Sequence, residues 1–167
     1  MNNKVALGII IKPDNREAEL LDRLLGGDLS ELSDKQKNIN LDNVEGLAEH
    51  VDGIFITITG KNEKCEEIAK KYNANISYYD WDKNFSNARN FNFSQVPKEY
   101  DYIYWADTDD VIVNPRAIRP LVLKMQEDAT DAITVRYLYE HDDEGNCMKE
   151  HLKTRLIKND GGMEWMG

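Results

Sequence analysis

The sequence predicts an α/β fold in which a mainly parallel sheet is flanked by helices and followed by an antiparallel β-hairpin. Two continuous apolar runs, at 5–11 and 53–59, are typical of strands buried on both faces of a parallel sheet. Segments with helical periodicity alternate with these and with two shorter apolar runs, which indicates parallel strands joined by right-handed crossovers. Near the end of the chain, two long strand-like runs flank a polar turn at 141–146, which indicates the hairpin.

The first crossover follows directly from local signals. Residues 12–15 break the first apolar run, and either Asp14 or Asn15 can cap a helix. That helix is expected over 16–25, where the alanine and leucines share one face, and Gly26-Gly27 ends it.

The other elements are assigned in the same way. In order, they are a strand at 53–59, a helix at 63–72, a strand at 75–79, a helix at 84–94, a strand at 101–106, a helix at 115–126, and strands at 131–139 and 147–157. Pro120 is expected to kink or divide the helix that contains it. The whole chain, 1–167, is expected to form a single domain with a flexible insertion at 26–49 that contains a short helix at 41–49.

Composition narrows the classes of function. The 167 residues are enough for one domain with a hydrophobic core, and 41% of them are hydrophobic. A net charge of −10, from 31 acidic and 21 basic residues, disfavours binding to nucleic acid or to anionic lipid, both of which select basic surfaces. The first apolar run is too short to span a membrane and lacks the form of a signal peptide, so a cytoplasmic protein is expected.

Three carboxylates within four residues follow the predicted strand at 101–106. Asp107, Asp109 and Asp110 repel one another unless a cation lies between them. Mg²⁺ and Mn²⁺ are commonly held by one or two carboxylates together with substrate phosphate oxygens. In an extended segment Asp107 and Asp109 would point to the same side and could hold one metal ion at a strand end. The alternative is a solvated acidic turn with an aspartate as a helix cap, and these residues alone leave both interpretations open.

Two motifs give the chain a resemblance to a known family. The first, at 79–90, reads Tyr-Asp-Trp-Asp-Lys-Asn-Phe-Ser-Asn-Ala-Arg-Asn, and the second, at 105–110, reads Trp-Ala-Asp-Thr-Asp-Asp. In this order and on these elements, they are similar to the motifs of family 2 glycosyltransferases, which have the GT-A fold and a DxD motif. The resemblance covers essentially the whole chain except residues 26–49.

This resemblance implies a metal-dependent, inverting transfer of a sugar from a nucleoside diphosphate. It implies Mn²⁺ or Mg²⁺ as the metal and a UDP-sugar as the donor, and it assigns the metal chiefly to Asp109 and either the metal or the ribose to Asp107. The expected donor-binding residues are Lys12, Thr59, Asp82, Arg89, Asp107, Thr108 and Asp109. The acceptor is left open as a glycan, a lipid-linked sugar or a protein.

Several of these residues have ordinary structural alternatives. Arg89 carries a bidentate cation suited to phosphate or carboxylate, but it can also be a surface arginine paired with a neighbouring aspartate. Asp82 can bind the base or ribose, or cap the helix that begins near residue 84. Lys12 can be a solvated lysine at a strand end. Phe85 is expected in the core rather than against a base, and Trp81 fits either place.

The sequence departs from the family pattern in two places. Many relatives have an aspartate near the end of the second strand that helps to bind the nucleotide, and Ile58 stands at that position here. Base recognition is therefore expected to be shared differently, for instance through Asp82. The chain also ends where relatives commonly continue toward the acceptor site, so a further region or a partner is expected to supply that site and the general base. Neither His141 nor His151 is nominated as the base.

Two other functions compete with glycosyl transfer. A nucleotidyltransferase shares the fold and the use of metal, but it typically has a glycine-rich basic loop after the first strand, and residues 12–15 have no glycine. A non-catalytic or shortened nucleotide-sugar-binding module is the second alternative. Metal-dependent nucleotide binding would distinguish a donor-binding protein from a scaffold that serves only for protein interaction.

Overall fold

The architecture comes from a computed structural model that describes residues 3–30 and 43–166. The strands are β1 (Val5–Ile11), β2 (Gly53–Ile58), β3 (Asn75–Tyr78), β4 (Tyr102–Trp105), β5 (Ala132–His141) and β6 (Cys147–Lys158). The α-helices are α1 (Asn15–Gly26), α2 (Glu63–Lys71), α3 (Phe85–Ser94) and α4 (Ile118–Asp128), with 3₁₀ turns at Leu47–His50 and Pro115–Ala117. Each of these strands and α-helices matches a predicted element to within about three residues at either end.

The sheet order is β3-β2-β1-β4-β6-β5. Strands β1, β2, β3 and β4 are parallel. Strands β5 and β6 form an antiparallel hairpin, and β6 also pairs with β4 in the antiparallel direction. The predicted α/β class, with a mainly parallel sheet and a terminal antiparallel hairpin, is therefore confirmed. The hairpin turn is held by the Asp142 carboxylate, which accepts from the backbone N–H groups of Glu144 and Asn146.

The core lies on both faces of the sheet, as expected for parallel strands. On one face, Leu7, Ile9 and Ile56 pack with Leu21 of α1 and Met125 of α4, and all five are fully buried. The other face carries a smaller apolar cluster beneath α3, formed by Ala6, Phe55, Val96, Ile103 and Ile157. Because successive residues of β1 face one buried cluster and then the other, the whole strand is apolar.

Helix α3 lies against the sheet with little space between them. A Cβ atom on Gly8 of β1 would lie 2.6 Å from Oδ1 of Asn92, so only glycine allows this approach. The Asn92 amide nitrogen donates to the carbonyl oxygens of Ile9 and Phe55 at 3.1 and 3.0 Å, and to Thr57 Oγ1 at 2.9 Å. A buried polar side chain thus fixes the helix over β1 and β2.

Helix ends follow the local signals. The Asp14 carboxylate, and not Asn15, caps α1 by accepting from the N–H of Glu17. Gly27 then ends the helix with a φ of 77°, and its N–H donates to the Arg23 carbonyl oxygen. Asn84 caps α3 in the same manner through Asn87.

The expected interruption of the helix predicted at 115–126 is present, because a 3₁₀ turn up to residue 117 is followed by α4 from residue 118. Pro120 lies in the first turn of α4, where no intrahelical N–H bond is lost. One helix prediction was wrong. The helix predicted at 41–49 is a 3₁₀ turn at Leu47–His50, because buried Leu47 and a bridge between Val44 and Val113 anchor this stretch. Residues 31–42, the larger part of the predicted insertion, lie outside the described residues. Within 3–30 and 43–166, no helix is both long and apolar enough to cross a membrane.

Candidate functional site

The carboxyl ends of the parallel strands meet at one edge of the sheet, where open α/β sheets commonly bind ligands. Thr59 follows β2, and both its N–H and its hydroxyl donate to the Ile11 carbonyl oxygen, at 3.0 and 3.2 Å. Lys12 follows β1 and is exposed. A Cβ atom on Gly60 would lie 2.8 Å from Pro13, so the loops after β1 and β2 are in contact. Lys12 and Thr59 thus lie on neighbouring loops at the predicted edge.

The acidic residues after β4 form a tight turn and not an extended segment. The Asp110 N–H donates to the Asp107 carbonyl oxygen at 3.1 Å, and the Asp107 N–H donates back to Asp110 Oδ2 at 2.9 Å. The expectation of an extended, strand-like segment from Asp107 to Asp109 was therefore wrong, since residues 108 and 109 form a turn. Asp109 lies at the exposed tip, the Asp107 side chain is 37% exposed, and the Asp110 side chain is buried.

Two arginines neutralise the flanking carboxylates of this turn. Arg89 Nη2 of α3 lies 3.1 Å from Asp107 Oδ1. Arg155 of β6 lies with Nη1 3.5 Å from Asp107 Oδ2 and with Nη2 2.8 Å from Asp110 Oδ2. The second contact is an ion pair whose angle falls outside hydrogen-bond geometry, since Arg155 Nη2 has no hydrogen-bond partner among the described residues. The turn therefore presents one carboxylate, Asp109, with no ion pair or hydrogen bond to the described residues.

Both guanidinium groups stack on the indole of Trp105, at the end of β4. The Cζ atoms of Arg89 and Arg155 lie 3.8 and 4.0 Å from its ring centre, so the two cations occupy opposite faces. Trp165 packs edge-on against the same indole at 5.0 Å, and its backbone exchanges two hydrogen bonds with the Asn90 amide. The arginines are thus fixed by aromatic packing as well as by charge.

Burial and charge act in opposite directions on these groups. Burial lowers the pKa of Arg89, and the neighbouring Asp107 carboxylate counteracts this fall. Burial raises the pKa of Asp110, while Arg155 and the Asp107 N–H counteract the rise. Arg155 thus opposes the effect of burial on Asp110.

A β-bulge places Arg155. In the pairing of β5 with β6, Ile133 lies opposite Leu156, and the next pair is Thr134 with Thr154, so Arg155 is an extra residue on β6. Bulges re-aim side chains near functional sites. Here the bulge turns Arg155 toward the acidic turn at the end of β4, where its side chain is only 2% exposed.

Helix α1 supports the acidic turn from the side of the larger core. The Thr108 hydroxyl donates to the Glu17 carboxylate, and Thr108 is 5% exposed. Arg23 Nη2 contacts the carbonyl oxygens of Thr108 and Asp110 at 3.4 and 3.3 Å. Thr108, predicted to bind the nucleotide-sugar, thus connects the acidic turn to α1.

Asp82 is occupied by its own neighbourhood. Its carboxylate accepts from the Tyr79 hydroxyl at 2.8 Å, the Asn87 side-chain amide at 2.7 Å and the Asn84 N–H at 3.0 Å. These bonds, the Asn87 bond above all, lower the pKa of Asp82. The helix-capping alternative was therefore wrong in its residue, because Asn84 is the cap of α3 and Asp82 instead holds Asn84 and Asn87 in place. A ligand would share Asp82 with three donors.

Phe85 is not in the core as expected, because its side chain is 60% exposed. It is the first residue of α3, one turn before Arg89, which already reaches past the end of β4 to Asp107. Trp81 is 41% exposed and packs edge-on against Phe85 at 4.8 Å, so the two rings form an exposed aromatic pair at the same edge.

Arg155 is the main site residue that sequence reasoning missed. The only local signal was a charge beside the apolar pair Leu156-Ile157 in a predicted strand, and the partners of Arg155 are 48 and 45 residues away in the chain.

Within 3–30 and 43–166, no group of three or more His, Cys, Asp or Glu side chains is arranged to hold a metal ion. The donor set still suits Mg²⁺ or Mn²⁺ that arrives with phosphates, because such ions need only one or two protein carboxylates. Asp109 and the exposed part of Asp107 could supply them.

Comparison with known proteins adds a family and a fold. A family model described as Glycosyl transferase family 2 matches residues 42–164. Among solved structures, the chain is similar to S. aureus TarS, with a TM-score of 0.50 and 12% identity over 77% of this chain and 20% of that chain. At that identity the likeness is one of fold, consistent with GT-A. No curated protein matches the sequence.

Two further solved structures are similar at a lower level. The structure of S. aureus TarS 1–349 matches with a TM-score of 0.46 and 13% identity, over 83% of this chain and 36% of that chain. A nucleotidyl transferase from Methanothermobacter thermautotroptrophicus matches with a TM-score of 0.45 and 17% identity, over 73% and 58%. The chain thus spans less than two thirds of the length of each of these three solved chains.

Proposed function

The chain belongs to glycosyl transferase family 2, and from this membership we propose that it binds a nucleoside-diphosphate sugar with a divalent cation and transfers the sugar to an acceptor hydroxyl. The observation that carries the proposal is the state of the acidic turn. Asp107 and Asp110 are paired with arginines, whereas Asp109 is exposed at the tip and pairs with no described residue. A carboxylate left without a protein partner is suited to receive a divalent cation, and the two arginines beside it add positive charge that suits the phosphates this cation would bring.

The donor diphosphate is proposed to lie at the sheet edge between the acidic turn and the loops after β1 and β2. Asp109 would be the main protein ligand of Mn²⁺ or Mg²⁺, with Asp107 as a second ligand or a ribose contact. The bound metal would act as a Lewis acid on the leaving diphosphate. Lys12 is exposed on the adjoining loop and can reach toward phosphate, while Arg89 and Arg155 hold Asp107 in place.

The nucleoside is proposed to lie toward β3. The exposed pair of Trp81 and Phe85 offers an aromatic surface on which a base can stack, and such stacking does not depend on which base is bound. Ile58 offers no hydrogen bond at the position where many relatives have an aspartate, so Asp82 is the nearest polar candidate for base or ribose. A UDP-sugar is the donor that we propose.

The transfer would be a single displacement with inversion. The acceptor oxygen forms a bond to the anomeric carbon as the bond from that carbon to the diphosphate breaks, and the diphosphate leaves with the electron pair. The hydroxyl proton passes to a base, and we assign that role to none of the described residues. The protein's own contribution is to orient the donor and to stabilise the charge that develops on the diphosphate.

Calorimetric titration of UDP, with and without Mn²⁺ and with GDP as comparison, tests this proposal. We expect Mn²⁺-dependent UDP binding that weakens about tenfold or more in Asp109→Asn, because the main metal ligand is lost. The matched control is Glu127→Gln, an exposed carboxylate near the end of α4 that loses the same charge. Binding that needs no metal, or that Asp109→Asn leaves unchanged, would overturn the metal-dependent donor site, and absence of binding to either nucleotide would favour a non-catalytic scaffold.

A further inference from the structure

The hairpin of β5 and β6 extends well beyond the end of β4. The last described pair between β4 and β6 joins Tyr104 to Leu156, and Leu156 in turn pairs with Ile133 of β5. Residues 134–154 therefore run past the edge of the sheet on which the acidic turn lies. We call this part of the hairpin the overhang.

A cavity of about 590 Å³ lies between the overhang and the segment that follows the acidic turn. Tyr137 and Tyr139 line it from the overhang, and residues 111–115, 117 and 118, all apolar except Asn114, line it from the opposite side. Asp109 and Arg155 close the end nearest the acidic turn. The volume is within the range of small-molecule sites, about 300–1,000 Å³, and so is the combination of apolar walls with a few polar groups.

Aromatic rings cluster on the overhang, and two of them, Tyr137 and Tyr139, line the cavity. The ring centres of Tyr137, Tyr139 and His151 lie 5.3–6.2 Å apart, and the interplanar angles are 33–40°. Each pair of rings is therefore tilted and not edge-on. Lys153 lies 3.8 Å from the Tyr137 ring centre. Tyr139 remains 59% exposed although it lines the cavity, so its ring is available to a ligand.

The polar groups lie at defined places in this cavity. Burial, and then the nearby carboxylates of Asp110 and Asp109, raise the pKa of Tyr137 to about 12, so its hydroxyl stays protonated and can donate. The His141 Nε2 atom is buried and has no hydrogen-bond partner among the described residues, and this side chain also lines the cavity. An alkyl chain would leave these groups and Asp109 desolvated without compensation. A pyranose has apolar C–H faces that pack on aromatic rings and hydroxyls around its edge that satisfy such groups.

We propose that this cavity binds the acceptor as a carbohydrate, with a sugar ring on Tyr139 and its hydroxyls toward Tyr137, His141 and the acidic turn. This inference rests on the proposed function for the identity of the ligand as acceptor, whereas the binding of sugar can be measured without it. Sheet order supports the placement, since β1, β2 and β3 lie on one side of β4 and the overhang lies on the other. Donor and acceptor would then approach Asp109 from opposite sides.

Saturation-transfer NMR tests the inference with a panel of probes: the methyl pyranosides of glucose, galactose, mannose and N-acetylglucosamine, and 1-octanol as the apolar comparison. We expect at least one pyranoside to receive saturation at its C–H protons. That signal should fall about fivefold in Tyr139→Ala, which corresponds to an aromatic contact of about 1 kcal/mol. Tyr78→Ala, a tyrosine 48% exposed on the far strand β3, is the matched control and should change the signal less than twofold.

Two outcomes would overturn the inference: no pyranoside shows a signal that depends on Tyr139, or 1-octanol alone shows one. UDP titration with Mg²⁺ on the same proteins separates this result from the donor proposal. If Tyr139→Ala binds UDP as the wild type does and no sugar binds to either, the cavity inference fails while the donor site stands. If sugar binds in a Tyr139-dependent manner but UDP does not bind at all, the proposed function fails and the cavity remains a sugar site.

Discussion

Arg155→Met is the substitution that most directly tests how the acidic turn is held. The variant keeps the length and much of the packing of the side chain but removes the cation that faces Asp110. The side chains of Asp110 and Arg155 are 3% and 2% exposed, and Asp110 Oδ1 has no hydrogen-bond partner among the described residues. Removing one partner of a buried ion pair typically costs about 3–5 kcal/mol, because the remaining charge is left without compensation. That is a large part of the free energy of unfolding of a domain, about 5–15 kcal/mol.

Equilibrium unfolding in guanidinium chloride at pH 7 measures this cost. Arg136→Met is the control, since Arg136 pairs with Glu150 on the exposed part of the same hairpin and should cost less than about 1 kcal/mol. Arg155→Met combined with Asp110→Asn should cost less than the sum of the single variants, because the double variant leaves no buried unpaired charge. A cost below about 1 kcal/mol for Arg155→Met alone would refute the reasoning.

The pH dependence gives a second check on the same variant. Burial raises the pKa of Asp110 in the folded protein, and Arg155 counteracts that rise. A carboxylate with a higher pKa in the folded state binds protons preferentially there, so its contribution to stability is lost as the pH rises through the folded pKa. Without Arg155 this pKa rises further, so the stability difference between wild type and variant should shrink as the pH is lowered from about 7 to about 5. A difference that does not change with pH would contradict the role assigned to Asp110.

Three further predictions concern the support of the site. Asn92→Ala should lower the free energy of unfolding by about 1–3 kcal/mol, because it removes the amide that donates to three buried oxygens. Chemical denaturation measures this loss, with Gln95→Ala at an exposed position as the control, and equal losses in the two variants would contradict the prediction. Gly8→Ala should also destabilise the fold through the 2.6 Å clash with Asn92 Oδ1, and the loss should be smaller when it is measured in the Asn92→Ala background; full additivity would argue against the clash. A hydrogen bond from Arg119 lowers the pKa of Asp52 in the folded protein. The stability that the ionised Asp52 provides is therefore present above the ordinary pKa of 3.8 and is lost as the pH falls through the folded pKa. The thermal unfolding temperatures of wild type and Asp52→Asn should converge in acid, and a difference that stays constant with pH would contradict the pairing.

Several elements could be predicted because their signals are local. The cap at Asp14 and the stop at Gly27 lie within three or four residues of the groups they satisfy. The apolar run of β1 reports burial on both faces of the sheet. The placement of Phe85 could not be read in this way, since the distance of its helix turn from the sheet edge depends on how α3 packs.

By itself the sequence determined the order of strands and helices, the parallel sheet with its terminal hairpin, the family and the position of the acidic turn. Only the tertiary structure decided which of the three carboxylates is left unpaired. That choice depends on Arg155, which a bulge in β6 directs to a turn 45 residues earlier, and on Arg89, which reaches the same turn from α3. The physical reason is that periodicity and capping act over one or two helical turns, whereas ion pairing and cavities depend on strand order and register. The overhang and its cavity likewise exist only because β5 and β6 continue after β4 has ended.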